Sequence, residues 1–446
     1  MQPLKNLTPV QIVILSYFLS ILIFSLLFRL PITHQPGVDL TYFDALFTAT
    51  SALSVTGLTV VSIGETFTLL GVFLLIVAFQ LGGLGIMTLG TFLWLATGQR
   101  IGLNQRYMIM IDQNRSELSV MVRLIKDILL LSMIIQALGA MVFTLFFYFQ
   151  FHSWKEALLH GIFQASSAFT NAGFDLFGTS LIHFSDNYML QLIYLWLMIT
   201  GAIGFPVLIE VKEWLSSPNR RLFRFSLFTK ITSATYFILL FGGLILIWIF
   251  ERGYSYAEKS VVESFFYSLF HSVSARSTGF TTIDITKFGV PSQLLLSFLM
   301  FIGASPSSVG GGIRTTTLAV ILLAIFSFAR GREHIRIFRR ELLDRDVHKA
   351  MTVFAYSVLL VASATLLITY LQPNLPLITI FFEVCSAFGT SGLSLGITSN
   401  LSSIGKLIII FLMFLGRVGI MSYLFLLWKE SRPEPYRYPY EKVIIG

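Results

Sequence analysis

The chain has 446 residues, of which 55% are hydrophobic and 12% charged, with a mean hydropathy of +0.78; that is about half the charged fraction of a soluble domain. Such a composition excludes a soluble globular protein and points to a chain embedded in a bilayer. A single cysteine, Cys385, excludes an internal disulfide or a cysteine-cluster metal site, and seven scattered histidines with no HExxH leave no metal-binding set.

Apolar runs long enough to cross a bilayer core, which takes about 20 residues, begin near Val10, Phe67, Ile128, Tyr188, Ile231, Leu294, Val353 and Ile404. They predict eight crossings. The first run follows only Lys5, is too long for a secretory signal and lacks a small-residue cleavage site before Arg29 and Pro31, so it is expected to stay as a membrane helix. Within each pair of runs lies a stretch too short to span: Tyr42 to Leu53, Lys155 to Phe169, Val261 to Ser274 and Leu377 to Phe388. These read as half-helices that enter the outer leaflet and turn back.

Each half-helix runs into a hydroxyl-rich stretch that closes on glycine and a large apolar residue: SALSVTGL (51–58), SAFTNAGF (167–174), VSARSTGF (273–280) and SAFGTSGL (386–393). The closing glycines, Gly57, Gly173, Gly279 and Gly392, lie 116, 106 and 113 residues apart, too long a period for a solenoid and suited to repeated membrane hairpins. The boundaries are repeat I at 1–100, repeat II at 126–215, repeat III at 230–330 and repeat IV at 351–428. Cytoplasmic linkers occupy 101–125, 216–229 and 331–350, and a tail occupies 429–446. The expected fold is an all-α membrane protein of four membrane-pore-membrane repeats, with eight transmembrane helices and four re-entrant half-helices in pseudo-fourfold arrangement around one pore.

Of the 31 Lys and Arg, 22 lie in five segments: the N-terminus, 99–126, 212–230, 330–349 and 429–446. All flank the apolar runs on one side, which marks that side, and both termini, as cytoplasmic. The same asymmetry accounts for the net charge of +8 without nucleic-acid binding. Asp39, Asp44, Glu65, Glu156, Asp175, Asp186, Glu258 and Asp284 fall on the outward loops. An acidic rim there would concentrate cations, although for any one of these carboxylates a solvated loop charge is the favoured reading.

Non-helical backbone at membrane depth is tolerated only where it is buried in protein or faces a water-filled cavity. Four such loops can converge on one axis and offer carbonyl oxygens to a dehydrated cation, with the negative ends of the half-helix dipoles pointing at it. The competing reading is four old duplicates whose loops now only pack. In the second helices glycine returns, at Gly82, Gly83, Gly85, Gly201 and Gly204, where close packing of membrane helices is an adequate reason. The third copy differs. Gly303, Ala304 and Ser305 lead into Pro306, Ser307 and Ser308, then Gly310, Gly311 and Gly312, a run that no continuous helix tolerates. It is expected to unwind in mid-membrane below Gly279, where it can obstruct the cavity and move. A nucleotide P-loop fails there because the Gly-Lys-Ser/Thr ending is missing. Arg417, a fixed charge inside an apolar helix, either faces that unwound segment as part of a gate or is bonded to helix carbonyls as a structural arginine. Arg276 reads as a brace behind its loop, since a cation in the ring would repel the permeant ion. Paired acids, a nucleophile with its base, or a metal set would mark an enzyme, and none is visible.

Taken together, the four loop glycines, the broken third copy and Leu-Gly-Arg-Val-Gly at 415–419 resemble the Trk/Ktr/HKT superfamily of potassium transporters. The resemblance runs from about Thr8 to the end and is closest to the bacterial Ktr membrane subunit. It implies potassium uptake through a filter at Gly57, Gly173, Gly279 and Gly392 with the residues just before them: Val55 and Thr56, Asn171 and Ala172, Ser277 and Thr278, Thr390 and Ser391. Glycine in all four loops is the potassium-type pattern, whereas some sodium-selective relatives carry serine in the first. The resemblance also implies a gating loop at 303–313 with Arg417 as the gate arginine. It implies a homodimer whose C-terminal segment lies at the contact, seated on a cytosolic ring of nucleotide-binding regulatory subunits docked on 212–230 and 330–349. The chain itself has no GxGxxG after a strand, so the nucleotide belongs to the partner and this chain carries no cofactor beyond transported K+, with Na+ activation left open. Pro306, and Arg314 where relatives often have lysine, depart from the family pattern. A Na+-permeable or Na+-coupled transporter of the same architecture, and a secondary transporter for another solute, are the alternatives.

Overall fold

In a computed structural model, residues 8–86, 88, 121–332, 334–427 and 441 are described. The expected linker at 101–125 lies largely outside them, as do the N-terminal residues before Thr8 and nearly all of the tail at 429–446.

Several helices begin where a hydroxyl or amide side chain satisfies free N–H groups of the first turn, at Thr8, Thr41, Thr68, Asn187, Ser226, Ser260 and Ser402. Helix α1 (Pro9–Phe28) starts in a capping box in which Thr8 Oγ1 accepts from Gln11 N–H and Gln11 Oε1 accepts from Thr8 N–H. The short α2 (Tyr42–Ser54) is capped by Thr41. A single turn, α3 (Ile63–Thr66), precedes α4 (Leu69–Leu84), which is capped by Thr68. The next set is α5 (Met121–Phe151), α6 (Trp154–Phe169), α7 (Tyr188–Ala202) and α8 (Phe205–Ser216). It is followed by α9 (Leu227–Glu251), α10 (Val261–Ser274), α11 (Val290–Ile302) and α12 (Thr315–Ala329). The last set is α13 (Asp344–Leu371), α14 (Leu377–Gly389), α15 (Ser403–Val418) and α16 (Ile420–Leu427).

Among the described residues, four helices are long and apolar enough to cross a membrane, spanning Val10–Phe28, Ile125–Phe151, Leu227–Glu251 and Asp344–Leu371. Their outer faces are apolar and exposed, as at Ile23, Leu26, Met133, Met141, Ile238 and Leu366. In water that would be a liability; in lipid it is the solvated face. The short helices are the reverse. Every residue from Phe47 to Ser54 in α2, Phe163 to Phe169 in α6, Phe270 to Ser274 in α10 and Phe382 to Gly389 in α14 is buried. Their starts and ends fall within one residue of the stretches read from the sequence.

The helices after the glycine loops differ from expectation. A break was expected only in the third, with glycines elsewhere serving continuous packing, but all four are interrupted at a glycine of positive φ. These are Gly85 (φ +95°), Gly204 (φ +103°), Gly303 (φ +70°) and Gly419 (φ +87°), and the turn between α7 and α8 reaches 104°. Only glycine adopts such a backbone at little cost, so Gly85 and Gly204 are turning points, and Gly204 is a close-approach position as well, with Pro306 O against it. The all-helical expectation is departed from by one hairpin, Arg336–Ile337 paired antiparallel with Arg340–Glu341, and by an isolated bridge between His34 and Phe67.

Packing runs in a cycle. Helix α4 lies on α6, α7 on α10, α11 on α14, and α15 returns to α2. Polar ties cross these seams: Gln80 and Gln136 exchange side-chain hydrogen bonds between α4 and α5, and Lys406 Nζ stands 3.1 Å from Asp44 Oδ1 between α15 and α2. Gly201 is a close-approach position in this packing, because a methyl group there would strike Phe169 O. Gly201→Leu is expected to destabilise the fold by about 1–3 kcal/mol through overpacking, read as a lowered unfolding temperature of the detergent-solubilised protein, whereas Gly242→Ala, which meets open space, should leave it unchanged.

Candidate functional site

The four short helices deliver their C-terminal ends to one place. Helices α2 and α14 end in residues with left-handed backbone, Val55 (φ +58°) and Thr390 (φ +50°); α6 does so one residue later, at Asn171 (φ +55°). Helix α10 instead continues in tight turns through Ala275 to Ser277. In every case the next carbonyls leave the helix direction. The loop is then tied back by a serine in the last turn. Ser51 Oγ accepts from Gly57 N–H and Ser386 Oγ from Gly392 N–H, each at 3.1 Å. Ser167 Oγ donates to Phe174 O at 2.7 Å and Ser274 Oγ to Phe280 O at 2.6 Å.

The loops close on one another through backbone. A Cβ placed on Gly57 would lie 2.6 Å from Ala172 O; on Gly173 it would strike Thr278 O, on Gly279 Ser391 O, and on Gly392 Thr56 O. Each glycine thus faces the carbonyl that precedes the glycine of a neighbouring loop, in chain order, and the fourth returns to the first. All four glycines have positive φ, from +69° to +92°. Thr56, Ala172, Thr278 and Ser391 supply the carbonyls of this ring. Val55, Asn171, Ser277 and Thr390 sit one position back and pack instead on glycines of the broken helices: Val55 on Gly82, Asn171 on Gly201, Thr390 on Gly311 and Gly416, Ser277 on Gly310.

Residues 303–314 pack against loops III and IV. Gly303 (φ +70°), Ser307 (φ +54°), Gly312 (φ +83°) and Arg314 (φ +81°) turn the chain four times. Ala304 N–H donates to Gly311 O at 3.1 Å, Ser308 Oγ to Ser305 O at 2.6 Å, and Ser305 N–H to Ala202 O at 3.1 Å. Ser307 O accepts from Phe205 N–H at 2.8 Å, and Pro306 O lies against Gly204. Contacts of Gly310 with Ser277 and of Gly311 with Thr390 bring this segment against loops III and IV. Two arginines hold it. Arg314 Nη1 donates within the segment to Ser305 O, at 3.3 Å, and to Gly310 O. Arg417 ties it outward: Nη1 donates to Val309 O, and Nη2 to Gly82 O and, at 2.9 Å, to Gly83 O. These carbonyls of α4 are freed where that helix ends at Gly85.

Arg276 points away from the ring. Its fully buried guanidinium lies 3.7 Å from the ring centre of Tyr236 on α9, and Nη1 donates to Tyr236 O at 2.9 Å. Beyond the ring, Asp175 Oδ1 accepts from Phe177 N–H at 2.7 Å and Gly178 N–H at 2.6 Å. Burial pushes this carboxyl above the ordinary aspartate range, opposed by those backbone donors. Asp44 and Asp175 are therefore engaged groups, not free charges of a rim.

The family described as TrkH, cation transport protein, matches residues 6–434. The chain belongs to this family. It is 49% identical over 443 residues to the Ktr system potassium uptake protein D of Bacillus subtilis, covering 99% of this chain and 98% of that protein. It is 36% identical over 448 residues to the potassium/sodium uptake protein NtpJ of Enterococcus hirae, covering 99% and 98%. The crystal structure of the potassium transporter TrkH from Vibrio parahaemolyticus shares the fold, with a TM-score of 0.70 at 18% identity over 96% of this chain and 86% of that one. This TrkH-family chain is a helical, multi-pass membrane protein of a transporter family, not of an enzyme family.

Sequence reasoning missed the serine tethers, the Arg314 clasp and the α4 carbonyls that meet Arg417. The first had a signal, since serine opens three of the four motifs, at Ser51, Ser167 and Ser386. The last had none, because Gly82 and Arg417 are 335 residues apart. Ser386→Ala removes the acceptor of Gly392 N–H and is expected to lower stability by about 1–3 kcal/mol, the cost of a buried donor left unmade, measured by thermal unfolding in detergent; Ser386→Thr, which keeps the oxygen, should recover part of that loss.

Proposed function

We propose that the chain takes up potassium across the plasma membrane through the ring formed by Thr56–Gly57, Ala172–Gly173, Thr278–Gly279 and Ser391–Gly392. The closed succession of carbonyl and glycine contacts is the observation that carries this reading. Carbonyl oxygens drawn from four short helices, each with its negative dipole end inward, can replace the hydration shell of a cation. The cyclic packing of α4, α7, α11 and α15 on the next short helix supports four membrane-pore-membrane repeats in pseudo-fourfold arrangement, each contributing two crossings. One ring of carbonyls, with the residues one position back turned to the broken helices, favours modest discrimination between cations.

Residues 303–312 and Arg417 form the gate in this reading. The segment lies under loops III and IV, and Arg417 bonds it to α4 across the cavity, so the obstruction is held by a few hydrogen bonds. Arg276 braces loop III from behind, where its charge is spread over Tyr236 rather than presented to the permeant ion. The relatives named Ktr system uptake proteins point to a membrane component of a system with further subunits. In this reading the chain forms a homodimer on a cytosolic nucleotide-binding ring, docked on the basic segments 212–230 and 330–349, with both termini cytoplasmic and no cofactor in this chain. A relative named potassium/sodium uptake protein favours one second reading, sodium permeation by the same path.

Rubidium flux into liposomes holding the purified chain, with and without the cytosolic subunit, tests the proposal. Uptake suppressed by K+ and not by choline is expected. Equal suppression by Na+ would replace it with the sodium reading, and no uptake under either condition would overturn it. Arg417→Ala, or deletion within 305–312, is expected to raise basal flux severalfold, since both remove the obstruction; unchanged or lower flux in a well-expressed variant would count against the gate. Gly57→Ser should admit more sodium, because a side chain there presses on Ala172 O, and the K+/Na+ competition ratio reads it.

A further inference from the structure

Between the ring and the broken segment runs a side-chain bridge centred on Asn171. Its carboxamide satisfies its neighbours when Nδ2 donates to Thr278 Oγ1 at 2.6 Å and to Ala168 O at 3.2 Å, while Oδ1 accepts from Ala202 N–H at 3.3 Å. Thr278 belongs to the ring, where its carbonyl faces Gly173. Ala202 is the last residue of α7, and the break at Gly204 leaves its carbonyl free to accept Ser305 N–H at 3.1 Å. Gly201 O, one residue earlier, accepts Val309 N–H at 3.3 Å. The links Thr278, Asn171, Ala202 and Ser305 therefore join loop III, loop II, the end of α7 and the segment beneath.

Loops I and IV make different use of the hydroxyls beside their ring carbonyls. Thr56 Oγ1 pairs with Ser54 Oγ of its own loop at 2.6 Å, and Ser391 Oγ donates to Ala275 O of loop III at 2.7 Å. Neither leads to residues 303–314. Asn171, Thr278 and Ser305 are fully buried, and Ala202 nearly so, where hydrogen bonds in series polarise one another and a lost member leaves its neighbours unsatisfied.

We propose that the Asn171 carboxamide is a positioning group that couples the ring to the 303–314 segment. A cation drawing on the Thr278 carbonyl changes the strength of the Thr278–Asn171 bond, and through the Gly201–Ala202 peptide, whose N–H meets Asn171 and whose carbonyl meets Val309 N–H, the hold on the segment. This rests on the reading of the ring as a cation site. It assigns to loop II a task that its carbonyl alone does not perform.

The test uses the full chain in liposomes with Ser308→Cys as reporter of the segment. Native Cys385 is fully buried and serves as the silent background. A charged thiol reagent applied from the cytoplasmic side is expected to modify the reporter at rates that differ between K+ and choline by about fivefold or more, the lower end of ordinary coupling between two sites. Asn171→Gly accommodates the positive φ and removes the side chain with its carboxamide; it should shrink that difference to about twofold or less. Thr278→Val removes the other end of the bridge and keeps the ring carbonyl. It should do the same, and the two together should lose no more than either alone. K+ dependence that survives undiminished in both variants, or that is missing from the reporter protein while the wild-type chain still takes up Rb+ in competition with K+, overturns the coupling. Loss of that competition in the wild-type chain would instead overturn the ring reading. Thermal unfolding of each variant separates a folding defect from either result, and Thr278→Val stands in if Asn171→Gly does not fold.

Discussion

Backbone carbonyls at Thr56, Ala172, Thr278 and Ser391 meet glycines at Gly392, Gly57, Gly173 and Gly279 too closely for any side chain, and the arrangement of the helices around them follows from that approach. A peptide group buried without a partner is expensive, so bringing four loops together at membrane depth requires everything behind them to be satisfied. The serine tethers do this locally. The short helices do it regionally, since their last turns are wholly buried and two of them, α2 and α10, are capped at the first turn by Thr41 and Ser260.

The same demand explains the broken helices. A continuous helix behind each loop would present side chains where the loop needs room, and glycine at Gly82, Gly201 and Gly416 lets Leu53 O, Phe169 O and Phe388 O approach instead. The helices then turn at Gly85, Gly204, Gly303 and Gly419, which leaves carbonyls without helical partners. In repeat III those groups are met by the long excursion 303–314. Elsewhere they are met by residues of other repeats: Gly82 O and Gly83 O by Arg417, and Ala202 O by Ser305. Arg417 is thus less an isolated charge in lipid than the donor that several interrupted helices share.

Much of this was legible. Short stretches between long apolar runs gave the half-helices to within a residue, because a helix of 13–16 residues cannot span. Gly303 to Gly312 announced a break because proline and three glycines cannot be helical together. Gly85, Gly204 and Gly419 were harder: a lone glycine in an apolar helix is compatible with continuous packing or with a turn, and the choice depends on which loop it faces.

Composition and spacing by themselves determined a membrane protein, the four loops, their glycines and the place where one helix must unwind, since all of these depend on neighbours in the chain. Which carbonyl each glycine faces, that Arg417 reaches Gly82 and Val309, that Arg276 turns to Tyr236, and that Asn171 bridges Thr278 to Ala202 were decided only in the tertiary structure. Those contacts join residues up to 336 positions apart, and no local propensity distinguishes an arginine or asparagine that will meet such a partner from one that will not.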